Sequence, residues 1–389
     1  MARPRSQKTL LILVYVASLL YSFSSSIPLY VNSSFLGSVA TTEKVGIIFA
    51  VASAISVTLA LCLPHILRQF GSYKSTLFMV GMGTILFVGL ATLKNTASVI
   101  IVFILTQAIL NILVINLSTF LETFSDNNKT GSIRGVFLTM GNIAVMIGPF
   151  LAGMMFVDDN YGKIYLTAAL FMFATYIVMS SSFKGYEDPV YQNISLRATL
   201  RAVIKNHDLH SVVCTAFLLS FFYAIMIIYT PIYLNVYMGI PMNKILGIII
   251  PVALAPFVIL EIILGKIADK KLGEKEIMVA GFIIMVLFTA VLPFIVTPNI
   301  FVWAGMLFMT RVGASAVEVM SETYFYKKIG PREVHLITFL YIVRFSAYIL
   351  APLVGVFLLY FLDYRFIFLI LGAIMFLGIP SSLHFKDTK

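Results

Sequence analysis

Twelve stretches of about 20 mostly apolar residues follow one another along this chain, each the length an α-helix needs to cross the hydrocarbon core of a bilayer. They fall at 9–31, 43–63, 75–93, 97–120, 133–156, 162–183, 211–236, 243–265, 277–297, 300–323, 335–359 and 363–383. Few folds remain open to such a chain. In lipid every backbone N–H and C=O must be satisfied within the protein, so spanning segments this long are helices. Hydrophobic residues make up 60% and charged residues 11% of the 389 positions. Soluble domains hold about 45–50% and about 25%. A water-soluble fold of this size has nowhere to bury so much apolar surface, and the sequence predicts an all-α integral membrane protein.

The first run follows Arg3, Arg5 and Lys8, as the apolar core of a secretory signal does. It is longer than such a core and shows no convincing small-residue cleavage site, so it reads as a retained first span. Cys62 and Cys214 lie near expected helix ends and read as small packing residues, not as a disulfide framework. The net charge of +10 needs no nucleic-acid partner. With the N-terminus placed in the cytoplasm, the outer connections hold only Lys44, Lys94, Lys163, Lys244 and Arg365, and the membrane holds Arg311 and Arg344. The other 20 of the 27 Lys and Arg residues fall on the cytoplasmic side. This positive-inside bias predicts a multi-pass protein of the cell membrane with both termini cytoplasmic.

The hexamers "IPLYVN" (27–32) and "TPIYLN" (230–235) stand 203 residues apart with Pro, Tyr and Asn in register. "VGII" at 45–48 returns as "LGII" at 246–249, and "LETF" at 121–124 as "SETY" at 321–324. Pro149 matches Pro352, and Gly71 matches Gly273. The common offset argues for an internal duplication: an N-terminal six-helix bundle at 1–183 and a C-terminal one at 211–389. An even number of spans per half gives both the same orientation, a parallel repeat. In the connector at 184–210, Leu196, Leu200, Val203 and Ile204 recur at helical spacing, which predicts an amphipathic helix on the inner membrane face. The prolines of the two hexamers have two readings. They kink helices that flex during a transport cycle, or they end helices at the outer interface, with Tyr30 and Tyr233 in an aromatic belt.

Twelve spans in a six-plus-six parallel duplication, with a middle cytoplasmic loop, resemble the major facilitator superfamily over nearly the whole chain. The loop "GKIADKKLGEK" (265–275) resembles that family's charged signature turn, with one extra residue before its second glycine. The resemblance implies a cytoplasmic gating latch at Gly265, Asp269, Lys270 and Gly273. The first-half loop "LPHILRQFGSYK" (63–74) keeps Arg68 and Gly71 but has Leu63 and Leu67 where Gly265 and Asp269 would align. Plain inner-face anchoring is the alternative for both loops. In span five, Gly135, Ala144, Gly148, Pro149, Ala152 and Gly153 match the spacing of a fifth-helix motif associated with antiporters of the family. Close helix packing is the other use of such small residues. The resemblance also implies a monomer.

An ionisable side chain deep in a membrane costs about 2.5–3.5 kcal/mol even on a lenient scale, so it marks function by default. Arg311 falls near the middle of span ten, and Glu318 and Glu322 follow on roughly the same helical face. Arg344 lies in span eleven and Glu261 near the inner end of span eight. Asn111 is the repeat counterpart of Arg311, with Gln107 one turn away. The family resemblance places the fourth and tenth helices beside a central cavity, which makes Arg311, Asn111 and Gln107 substrate-binding candidates. Ser18, Tyr21 and Ser22, from a polar stripe of span one, join them. Arg311 would hold an anionic group or set the proton affinity of a nearby glutamate, with Glu318 or Glu261 as proton carrier. The structural alternative is an Arg–Glu network of Arg311, Arg344, Glu318 and Glu261 that ties spans ten and eleven together. Glu122 and Glu322 sit where their helices emerge and read as gate or anchor residues.

No phosphate-cradling "GxxxxGK[ST]" and no large soluble domain is present, so the energy source is expected to be an ion gradient, with protons first. The expectation is a secondary active transporter that moves a small neutral, amphipathic or anionic solute by alternating access, as proton-coupled efflux or antiport. Its partners are the lipid bilayer, the solute and protons, with no cofactor or metal. An uncoupled sugar or metabolite facilitator is the runner-up, followed by a polytopic lipid-modifying enzyme or a scramblase. An enzyme would need an interfacial cluster of His, Asp or Glu, and only "HDLH" (207–210) clusters. It reads as one turn of a surface helix.

Overall fold

The computed structural model describes residues 7–123, 130–156, 160–184, 196–270, 273–328 and 334–383. Among these the chain is helical, and twelve helices are long and apolar enough to cross a membrane. In chain order the first helices are α1 (Gln7–Ser26), α2 (Asn32–Val39), α3 (Thr42–Phe70), α4 (Ser72–Thr92), α5 (Thr96–Thr123), α6 (Thr130–Met155) and α7 (Gly162–Ser182). A short α8 (Leu196–Lys205) precedes α9 (His207–Ile232), α10 (Met242–Lys244), α11 (Ile250–Lys270) and α12 (Glu274–Val291). The chain ends in α13 (Ile300–Lys328), α14 (Val334–Leu359), α15 (Phe366–Phe376) and α16 (Gly378–Leu383). Single turns of π-helix at Tyr233–Tyr237 and Ile245–Ile249 extend α9 and lead into α11.

The chain forms two compact units, Met1–Leu29 with Ala52–Asn193, and Tyr30–Val51 with Ile194–Lys389. The segment between the first two spans and the start of α3 therefore group with the helices of the second half. In the first unit Val14 and Ala17 of α1 meet Phe120 and Leu121 of α5 and Met179 and Phe183 at the end of α7. Small residues set the helix spacing. A methyl group on Gly148 of α6 would come within 2.7 Å of the Ser26 backbone at the end of α1. In the second unit α12 and α13 cross backbone to backbone, and a methyl on Gly281 would lie 2.8 Å from the Gly313 carbonyl oxygen. Buried hydroxyls bond back to carbonyls of their own helix, as Ser56 does to Ala52 (2.8 Å) and Thr76 to Ser72 (2.8 Å). Large apolar side chains such as Phe78, Leu170, Phe294 and Phe301 point outward and are 67%, 68%, 67% and 80% exposed, as lipid-facing residues must be.

The amphipathic helix expected in the connector is α8. It buries Thr199 and Val203 and leaves Leu200 and Ile204 exposed. The preceding connector residues, 185–195, lie outside the described part of the chain, as do the side chains of Leu196 and Arg197. "HDLH" is the first turn of α9, where the Asn206 side chain caps the helix by accepting from the Asp208 and Leu209 N–H groups.

The two hexamers differ in backbone. The first copy leaves the helix: α1 stops at Ser26, and Pro28 and Tyr30 lie in a turn. The second copy stays helical through Pro231 to Ile232 and continues as a π-turn. Tyr30 and Tyr233 are each 3% exposed, so neither belongs to a lipid-facing aromatic belt.

Candidate functional site

Most of the ionisable side chains expected inside the membrane come together on one long helix, α13, and its neighbours α9 and α14. Arg311 is 1% exposed. Its Nη1 donates to Thr310 Oγ1 at 2.9 Å, and the guanidinium lies 5.3 Å from the centre of the Phe222 ring of α9. The Tyr30 side chain, just beyond α1, is a neighbour of the same guanidinium. Two turns along α13 the Tyr223 hydroxyl of α9 donates to Glu318 Oε2 at 2.8 Å. One further turn on, Glu322 forms an ion pair with Arg344 of α14. Arg344 also lies 5.8 Å from the Tyr341 ring centre. Tyr348 of α14 has Tyr30, Glu318 and Arg344 as ionisable neighbours.

This arrangement revises the network expected from sequence. Spans ten and eleven are tied by Arg344 and Glu322, the carboxylate read from sequence as a gate or anchor. Among the described residues Arg311 makes no ion pair with a carboxylate. The side chains of Glu261 and Glu122 lie outside the described part of the chain. Tyr223, Tyr348, Phe222 and Thr310 were not singled out by sequence. Each is ordinary in a spanning helix, and only the tertiary register of α9, α13 and α14 brings it to a charge.

In the first unit the polar candidates make separate contacts. Tyr21 donates to the Leu110 carbonyl at 2.7 Å, which ties α1 to α5. Asn111 Nδ2 donates to Ser56 Oγ at 3.0 Å, and Gln107 is half-buried one turn earlier. Ser18 is buried with no hydrogen-bond partner for its hydroxyl among the described residues. Ser22 is half-buried, and its carbonyl accepts from the Ser25 hydroxyl at 3.1 Å. A further buried pair, Asn116 Nδ2 to Thr76 Oγ1 at 2.8 Å, joins α5 to α4.

The small residues of the fifth-helix motif pack helices. Ala144, Gly148, Pro149 and Ala152 are buried, Gly153 is half-buried, and Gly148 packs closely against the end of α1. The side-chain position of Gly135 lies outside the described part. Of the loop residues, Arg68 is exposed at the end of α3, and Gly71 sits at φ 79° and ψ 157°, a region open essentially to glycine alone. Its repeat partner Gly273 has an ordinary φ of −74°. Gly265, Asp269 and Lys270 fall on the last turns of α11, with side chains outside the described part. Among the described residues no group of three His, Cys, Asp or Glu residues is placed to hold a metal ion.

Twelve membrane-capable helices and a buried polar column in the second half are the makings of a polytopic solute carrier. The family model of the Major Facilitator Superfamily matches residues 2–149, 135–347 and 247–388. The chain belongs to that superfamily, and it is a secondary transporter, not one of the polytopic enzymes considered above. Its helices superpose on the crystal structure of the nucleoside transporter NupG at a TM-score of 0.72 and 14% identity, covering 97% of this chain and 100% of that one. They superpose on an auto-inhibited POT family peptide transporter at a TM-score of 0.76 and 10% identity, covering 98% of each. At such identities the likeness establishes the major facilitator fold alone. No curated protein matches the chain by sequence.

Proposed function

We propose that this transporter is a proton-coupled exporter or antiporter of the cell membrane, with both termini cytoplasmic, which moves a small solute by alternating access and works as a monomer. The observation that carries the reading is Glu318. It lies within a span and is bonded by a neutral phenol, Tyr223. The nearby Arg344 makes its ion pair with Glu322. Among the described residues Glu318 makes no ion pair, so its carboxyl can take up and release a proton without breaking one. Glu318 is therefore the proton carrier, and Tyr223 orients it. The basic inner loops support the orientation through the positive-inside bias. The small-residue motif of α6 fits the antiporter reading.

Reconstitution into liposomes with a trapped pH dye tests the coupling. Solute added against a proton gradient should move protons in the wild type, and Glu318→Gln should exchange solute without moving protons. Solute flux that ignores the gradient in the wild type would instead identify an uncoupled facilitator.

A further inference from the structure

Among the described residues no carboxylate balances the charge of Arg311. A guanidinium offers five N–H donors and is always charged. At 1% exposure this one meets Thr310 Oγ1, the Tyr30 hydroxyl and the face of Phe222, none of which carries a formal negative charge. Taking a charge out of water without a counter-charge costs several kcal/mol. The same unit shows how a structural arginine is accommodated here: Arg344 is paired with Glu322. Tyr30 lies in the turn after α1, outside any helix. Tyr348, a neighbour of Tyr30, offers the displaced hydroxyl a new partner.

We propose that Arg311 and Tyr30 form an oxyanion subsite, in which a carboxylate or phosphate group of the transported solute replaces the Tyr30 hydroxyl at the guanidinium. The proposal rests on the transport reading above and names its substrate class as small organic anions. The planar fork of arginine matches two oxygens of a carboxylate or phosphate at once, which a halide cannot supply. The arriving anion neutralises the buried charge, and the neutral phenol holds the site between cycles. Thr310 keeps the guanidinium oriented in both situations.

Thermal unfolding of the full chain in an uncharged maltoside detergent tests this. The probes are lactate and benzoate, inorganic phosphate and glycerol 3-phosphate, their neutral counterparts lactamide, benzamide and glycerol, and chloride. A carboxylate or a phosphate should raise the unfolding midpoint of the wild type, its neutral counterpart should not, and the responding series tells which oxyanion is carried. Arg311→Gln should abolish the shift, and Arg311→Lys should keep a weakened one. Tyr30→Phe should bind the anion on the order of fivefold more tightly, because the hydroxyl that competes for the guanidinium is gone. The subsite is refuted by equal shifts from the neutral counterparts or a full shift in Arg311→Gln. A shift from chloride alone, or no shift from any oxyanion, refutes it too. If Arg311→Gln does not unfold in a single transition, Tyr30→Phe decides: tighter binding supports the subsite, and unchanged or weaker binding overturns it. The coupling reading fails separately. Oxyanions that bind through Arg311 and cross without moving protons leave the subsite standing and remove the proton. A neutral solute that moves protons while no oxyanion binds does the reverse.

Discussion

Of the two arginines that sequence places within membrane spans, Arg344 meets a carboxylate from the neighbouring helix, and Arg311 meets a hydroxyl and an aromatic face. Both charges must be reconciled with a membrane interior. Arg344 does so through an ion pair that links α14 to α13. Arg311 does so incompletely, which suits a group whose partner comes and goes. The contrast separates a charge that holds the bundle together from a charge that handles cargo, although sequence places both on adjacent spans.

Breaking the structural pair should have the largest effect on stability. Glu322→Ala leaves Arg344 unpaired in a partly buried position and should cost about 3 kcal/mol, while Arg344→Met with Glu322→Leu should recover most of that loss. Unfolding midpoints in detergent read both. A similar contrast of like residues in unlike surroundings holds at Gly71 and Gly273. Gly71→Ala forces a side chain onto a glycine-only backbone conformation and should cost about 2 kcal/mol. Gly273→Ala, at an ordinary backbone angle, should change stability by less than about 0.5 kcal/mol. Tyr223→Phe removes one hydrogen bond from Glu318 and should cost about 1 kcal/mol, with a larger effect on proton movement than on unfolding. Smallest of all, Arg311→Gln should leave stability within about 0.5 kcal/mol or raise it, because an unbalanced charge is removed. A loss as large as that of Glu322→Ala would place Arg311 in the scaffold.

The twelve spans were legible because length and apolarity alone decide whether a helix crosses a bilayer. The short matches at offsets of 200–203 could not show that the two hexamers take different backbones, the first leaving its helix and the second staying in one. Pro28 marked a place where the first helix could kink or end, and only the structure decides that α1 stops at Ser26 and leaves Tyr30 in a turn. Arg311, Glu318 and Arg344 stood out as charges in apolar runs. Their partners did not, because Tyr223 and Glu318 are 95 residues apart and meet only through the register of α9 against α13. The choice between Glu318 and Glu322 as partner of Arg344 likewise depends on how far α14 slides along α13.

Uptake of a radiolabelled oxyanion into liposomes by three proteins tests the central contrast most directly: the wild type, Arg311→Gln, and the charge-swapped Glu322→Arg with Arg344→Glu. The swap preserves an ion pair between α13 and α14, so it should keep transport, while Arg311→Gln should lose it. Wild-type uptake by Arg311→Gln together with loss in the swapped protein would contradict the account and move the cargo charge to Arg344.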